Sequence, residues 1–527
     1  MWWAGVLLAT VNTAHAADLR LVAAAEQRDW TAVTTLLRQH ADINTPQPDG
    51  ATALHWAVHW DAAVAVGQLL AAGVNVNAKN DYDVTPLSLA CTNANVAIAQ
   101  RLLKAGANPN LATSTGETPL MTSVRSGSLA VVNALLAAGA DINAAGGGRD
   151  QTPLMWAVTG GQHEIVRLLI AKGANIHIRS RIRPEYVSFG RGDPQGGRIS
   201  GKADGTLDAD GTRPGLGWIK KGGMTAFLFA AQRDDLESAK MLVNAGADVD
   251  EVTPEGSTAL MVAIQNDGED VGTFLLDRGA KVNVSTTGYT ALHLAVARRQ
   301  TQLVQALLNH GANPNVPLTR GAPIIEGASS QAQLPEYLLG ATPFLLAAAQ
   351  DDVVSMHALA VAGANPLTPM ADGTTPLMAS MGIDPGIRSL SSFRKVGYDR
   401  AYGEGGYSKR RPDEEKEILA AAKLAVELGN DVNAVRTKQP VYHGANPRTL
   451  IGRDEGDTAL HTAIADRLPT VVEFLVNHGA RLDVANGRGL TPLALSMTKL
   501  KQYRTDGSGP PIGDKEIEAE LRRLGAN

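Results

Sequence analysis

Chemistry in this chain would have to come from a few short patterns, and each lacks a part that its chemistry needs. Gly196-Gly197-Arg198-Ile199-Ser200-Gly201-Lys202-Ala203 has the spacing of a phosphate-cradling G-x4-G-K-[ST] loop. Ala203 replaces the hydroxyl that would hold magnesium, and no strand leads into the loop, so nucleotide binding is not supported. Asp204, Asp208 and Asp210-Gly211 outline a calcium loop, but its first ligand would be Thr206 and its twelfth Gly217. That oxygen set suffices for a weak divalent site at most. Arg191-Gly192-Asp193 is a three-residue match in a Gly-rich stretch, and His163-Glu164 lacks the second His of H-E-x-x-H. No G-x-S-x-G and no adjacent nucleophile and base occur; a triad assembled only in space stays open. Cys91 is the single cysteine, which excludes an intrachain disulfide, Cys-rich zinc sites and C-x-x-C-H haem attachment. It follows TPLSLA in an expected helix and reads as a buried thiol. No catalytic residue, metal ligand or cofactor is assigned.

Composition narrows the class further. Hydrophobic residues make up 44% of the 527, charged residues 19% and aromatics 4%, which describes a globular chain with an aliphatic core. The 48 basic and 53 acidic residues leave a net charge of −5, against a general nucleic-acid binder. No run reaches the 18 or so apolar residues of a membrane span. Residues 4–11 (AGVLLATV) are apolar, and Ala14-His15-Ala16 then offers an A-x-A cleavage site before Ala17. A signal peptide over 1–16 is expected, with a mature chain of 17–527 that is periplasmic or secreted. The preceding MWW carries no Lys or Arg, and without a functional signal the chain would be cytoplasmic.

The elements that must position any site are set by a repeat. Thr52, Thr85, Thr118, Thr152, Thr225, Thr258, Thr290, Thr342, Thr375, Thr458 and Thr491 each open a T-[PA]-[LF] tripeptide, mostly 33 residues apart. Gly73, Gly106, Gly139, Gly173, Gly246, Gly279, Gly311, Gly363 and Gly479 each follow one of these Thr by 21. Such a period is a repeat array. Thr suits a helix N-cap and the following Pro suits the first helical turn. Gly suits a left-handed C-cap after a second helix, and the Asp/Asn-rich stretch beyond it suits a turn.

TALHWA (Thr52–Ala57), TALHLA (Thr290–Ala295), TALHTA (Thr458–Ala463) and GADINA (Gly139–Ala144) resemble the ankyrin-repeat signature. The resemblance covers nearly the whole chain after the leader. It implies an all-α solenoid of about 12 helix-turn-helix repeats with β-turn fingers on one edge, and very little about activity. It also implies that His55, His293 and His461 bond neighbouring turns and are structural. Leu19–Asn44 reads as a first repeat with His40 at the Gly position, and the first and last repeats read as polar-faced caps.

Long gaps mark insertions. Those within 178–222, 316–340 and 434–457 extend fingers on one edge, whereas 383–415 lies between the two helices of one repeat. They are either a binding surface or tolerated loop length. Ile178–Gly222 holds nine Lys/Arg against five Asp/Glu, and Ile383–Arg411 seven against three, both with aromatic residues. Such loops suit an acidic partner, an anionic polymer or a lipid head group, or merely keep a loop soluble.

By the same resemblance, residues seven and eight after each Thr face the concave side and contact partners together with the fingertips. The concave candidates are His59, Trp60, Arg125, Gln232, Arg233, Arg298, Gln350 and Asp466; the finger candidates are Asp81, Tyr82, Arg149 and Asp150. Trp60 stands out, since Trp is common at interface hot spots. Trp56, Trp156 and Phe229, four after Thr, belong to the packed layer. The leading expectation is a noncatalytic scaffold that binds a protein partner through this face and the enlarged fingers. An enzyme with its site under the insertions, or a binder of an anionic envelope polymer, are the alternatives.

Overall fold

The computed structural model of the chain describes residues 18–188, 216–319, 338–381, 414–438, 454–498 and 515–526. The expected leader, 1–16, lies outside the described residues, as do the central parts of the four expected insertions. Among the described residues there are 24 helices, which follow one another as 12 pairs. Most pairs join a first helix of seven residues to a second of nine, as in Pro86–Thr92 and Val96–Lys104. One antiparallel hairpin departs from the helical pattern. It pairs Arg183–Ser188 with Leu216–Lys221, running from Arg183 opposite Lys221 to Ser188 opposite Leu216, inside the first expected finger insertion.

The described residues form two compact units. The first holds the chain up to Arg181, with Met224–Phe229 and Lys240–Ala245. The second holds Ile182–Gly223, Ala230–Ala239 and the chain from Gly246 onward. Within each unit, first helices stack on first helices and second helices on second helices. The buried layer between them is aliphatic: Leu54, Leu69, Leu87, Ile98, Leu102, Leu120 and Leu135 are all fully buried.

The repeat landmarks act as their chemistry requires. Thr85, Thr118 and Thr152 accept from the backbone N–H of Ser88, Met121 and Met155, with Pro at the next position. At the three caps with a His three residues on, His55, His293 and His461, the imidazole Nδ1 accepts from the capping Thr N–H at 3.1–3.2 Å. The Nε2 atoms of His55 and His461 bond Val84 O and Leu490 O in the next repeat, at 3.0 and 3.1 Å. The expected left-handed C-cap is present, and His40 adopts it in the first repeat with φ 58°.

Two further left-handed positions recur that the sequence reading did not anticipate. The residue nine after the cap turns the chain between the helices: Asp61, Ala94, Asp234, Asp267, Arg299, Asp351 and Arg467 all have positive φ there. Arg28 holds the same place in the first repeat, with φ 63°. The residue two before the cap bends each finger, and is Gly except at Asp83 and Asp150.

Within each unit an asparagine ladder joins several repeats to the next. Asn77 Oδ1 accepts from Asn108 N–H at 2.8 Å while its Nδ2 donates to Gly106 O at 3.1 Å. Asn110 does the same with Asp141 N–H and Gly139 O, at 2.7 and 3.1 Å. In the second unit Asn283, Asn315 and Asn433 repeat the pattern. Fingers are joined too, by backbone bonds such as Asp81 N–H to Asp49 O and Ser114 N–H to Tyr82 O.

Leu367 stands at a ladder position, where it can neither donate nor accept. The neighbouring repeat substitutes other groups. Asn430 Nδ2 donates to Pro366 O at 3.0 Å. Arg436, only 1% exposed, donates to Asp372 Oδ2 at 2.7 Å and to Thr374 Oγ1.

These arrangements predict two unequal losses. Asn110→Ala removes two partly solvated hydrogen bonds and should lower unfolding stability by about 1–2 kcal/mol. Arg436→Ala leaves Asp372 without its buried cation and should cost about 3–5 kcal/mol. Urea titrations of both variants against the parent check the order; an Asn110 effect larger than the Arg436 effect would contradict it.

Candidate partner-binding surface

Residues seven and eight after the cap end the first helix, where the chain turns back. In the second repeat these are His59, which is exposed, and Trp60, which is half-buried. Their rings meet edge-on with centroids 4.4 Å apart, and Trp60 stacks with Trp56 at 6.3 Å. The left-handed turn at Arg28 brings its guanidinium carbon to 3.5 Å from the Trp60 ring centroid. Trp60 Nε1–H donates to Glu26 O at 3.3 Å, and Trp56 Nε1–H to Gln47 Oε1 at 2.8 Å. The result is a fixed aromatic cluster topped by a cation. Trp56 is half-buried rather than fully packed, so it belongs to this surface.

A second station lies further along the same unit. Arg125 is exposed, pairs with Glu117 at 2.9 Å and lies 5.9 Å from the Trp156 ring centroid. The finger passes over Trp156 at Gly147, where a Cβ would come within 2.8 Å of the indole. On the fingers, Tyr82 is 69% exposed, and Asp81 and Arg149 are exposed while their backbones bond adjacent fingers. Asp150 also has a local role in its finger. It supplies the left-handed bend of its finger, with φ 49°, and its carboxylate lies 3.9 Å from Arg181.

In the second unit the counting rule holds less well. Arg233 is exposed and Gln232 and Asp466 are half-buried. Arg298 has a side chain only 10% exposed, bound to Asp267 through Nε at 3.1 Å and a second nitrogen at 2.8 Å. Gln350 must be removed from the contact set: it is 3% exposed, and its Nε2–H donates to Val296 O at 3.2 Å. It satisfies a helix-end carbonyl of the preceding repeat, as Asn93 does for Val58 and His59. Arg28, Glu26, Gln47 and Glu117 were missed. Counting nine from Leu19 would have found Arg28; the others are set by contacts that spacing does not encode.

No group of three or more His, Cys, Asp or Glu among the described residues is placed to hold a metal ion. None of the described helices is long and apolar enough to cross a membrane. Cys91 is fully buried, and burial pushes its thiol up to about 12.

Comparison with known proteins agrees with this geometry. A family profile described as ankyrin repeats (3 copies) matches residues 21–113, 64–146, 97–180 and 227–317. Another, ankyrin repeats (many copies), matches 441–496. Human ankyrin repeat and SOCS box protein 16 is 28% identical over 237 residues, covering 44% of this chain and 46% of that protein. A putative ankyrin repeat-containing protein of Treponema pallidum is 38% identical over 94 residues, 18% of this chain and 32% of that one. Putative ankyrin repeat protein FPV031 of fowlpox virus is 37% identical over 93 residues, covering 17% and 27%. The chain spans less than half the length of these relatives.

The buried histidines give a signed pH expectation. Burial lowers His55 and His461, and lowers His293 to about 4. The unfolded chain therefore takes up protons near 6.5 that the folded chain refuses, and stability should fall from pH 6.5 toward 4. Burial raises Asp457 to about 6, so its contribution has the opposite sign: present below 3.8 and lost as pH rises through 6. Urea midpoints across this window should fall with acidification, and more steeply in Asp457→Asn. An unchanged midpoint, or a His293 imidazole that titrates near 6.5 by NMR, would contradict the assignment.

Proposed function

The chain belongs to the ankyrin-repeat family, and from that premise we propose that it is a noncatalytic scaffold that binds a partner protein. Ankyrin repeats generally mediate protein–protein interaction. The observation that carries the reading to a place on this chain is the Trp56–His59–Trp60–Arg28 cluster. Half-exposed Trp rings held by hydrogen bonds to Glu26 and Gln47 offer apolar contact with little side-chain entropy left to lose. The enlarged fingers extend the contact area in this reading. The Ala14-His15-Ala16 site adds a location, in which the leader is removed and the partner lies in the cell envelope or outside the cell.

The test uses the full chain expressed in its own host, with a photoreactive residue placed at His59 or, as control, at Lys104 on the second helix. A partner crosslinked from His59 and not from Lys104 is expected. With the purified partner, Trp60→Ala should weaken binding at least tenfold, since central Trp truncations cost about 2 kcal/mol or more. Binding untouched by Trp60→Ala and Arg233→Ala together would remove the site from this face. Replacing residues 178–222 with an ordinary short finger separates the finger contribution. For the location, N-terminal sequencing of the fractionated protein is expected to begin at Ala17; a retained Met1 in the cytoplasm would reject it.

A further inference from the structure

The first two repeats hold a cation that the fold leaves available. The acids beside Arg28 in sequence, Glu26 and Asp29, and Asp61 at the equivalent turn of the next repeat each accept a hydrogen bond from another group. Asp29 Oδ1 accepts from Ala32 N–H at 2.8 Å and caps its own helix. Glu26 Oε2 accepts from Gln47 Nε2–H at 2.6 Å. Asp61 Oδ1 accepts from the side-chain amides of Asn93 and Asn95, at 3.1 and 2.9 Å. Arg28 is exposed and none of the described carboxylates pairs with it, although Trp60 supports its guanidinium face at 3.5 Å. The comparison within this surface is Arg125, which also lies over a Trp ring but is paired with Glu117.

We infer that Arg28, backed by the Trp60 ring that His59 also meets, is the anchor for an acidic side chain of the partner, an Asp or Glu within an extended peptide. This rests on the scaffold reading above and names the chemistry of its partner at one place. A guanidinium stacked by its face keeps its in-plane N–H donors for a carboxylate, which takes them two at a time. Stacking also restricts the side chain before binding, so less rotamer entropy is lost on contact. The Trp56 and Trp60 rings, 6.3 Å apart and 20° from parallel, give an apolar floor beside the anchor for the residue adjacent to the acid. A point charge on a flexible stem would not reproduce this, so Lys is a poor substitute at position 28.

The probes are Ac-Gly-Leu-Glu-Leu-Gly-NH2 and its Gln counterpart, titrated to 10 mM into the full chain, with inorganic phosphate as a separate arm. The readouts are the Arg28 Nε–H and Trp60 indole N–H signals in nitrogen-15 spectra. The Glu peptide is expected to move both, the Gln peptide at least tenfold less at equal concentration, and Arg28→Lys to abolish the response while the remaining spectrum stays folded. Equal response to both peptides, no response to either, or a response that survives Arg28→Lys overturns the inference. A stronger response to phosphate than to the Glu peptide also overturns it, because the site would then be an oxyanion site of another kind. Crosslinking from His59 that persists while these tests fail would sink the carboxylate anchor alone and leave the scaffold reading intact.

Discussion

A pair of helices seven and nine residues long cannot hold itself together in water. It is too short to propagate helix against its nucleation cost, and it has an apolar face with no partner of its own. The stacked neighbour solves both problems, and every regularity in this chain serves that stacking. The aliphatic residues of the two helices fill the layer between repeats. The polar groups left over at the ends of the helices are then satisfied across the boundary, by the neighbour's side chains. Asn77 and Asn110 each bond one backbone N–H and one carbonyl of the next repeat, and Asn93 and Gln350 bond helix-end carbonyls of the preceding one. Stability in such an array is a sum of nearest-neighbour terms, so one missing link is a local loss that can be replaced locally.

Arg436 shows what replacement involves. The ladder position before it is Leu367, and the repeat that follows has its helices separated by a long insertion, between Ser380 and Glu414. A buried guanidinium is an expensive device, and here it is tolerated because Asp372 and Thr374 receive it. Asn430 supplies the amide that Leu367 lacks, by donating to the residue immediately before it, Pro366. The pair Arg436–Asp372 spans 64 residues, with an insertion between the partners. No periodicity predicts it, because it is the answer to an irregularity.

That contrast explains what could be read from the sequence. The capping Thr, the Pro after it and the C-cap Gly impose local conformations that depend on the residue itself, and they appeared at the expected places. Even His40 was identifiable, from its position in the count. The asparagine at the fourth place after Gly was visible as a turn residue, but its bonds to the next repeat were not, since they require two repeats in register. Gln350 failed for a related reason. Counting eight from the cap gives the turn that ends the first helix, yet exposure at that turn is decided by neighbouring groups. The same count gives Trp60, which is half-exposed, and Gln350, which is buried.

The same inequality bears on recognition. If all repeats offered equivalent concave positions, affinity would be distributed along the array and no residue would be worth singling out. The positions are not equivalent. In the second unit Ala349 and Gln350 are buried and Arg298 is tied to Asp267. In the first unit His59 and Arg125 are exposed, Trp60 is half-exposed, and Arg28 has no carboxylate partner among the described residues. Groups already satisfied by their own fold gain little from a partner, because binding would exchange one good hydrogen bond for another. A cation on a rigid aromatic support with its donors unfilled has the most to gain. Arg28 and Arg298 both lie at inter-helix turns, and they differ in that Arg298 has an aspartate partner. Asp61 is held by Asn93 and Asn95, whereas Asp267 is turned to Arg298 as well as Gln300. Asp267 accepts from Gln300 and still binds Arg298, so amide contacts alone do not decide which arginine is engaged.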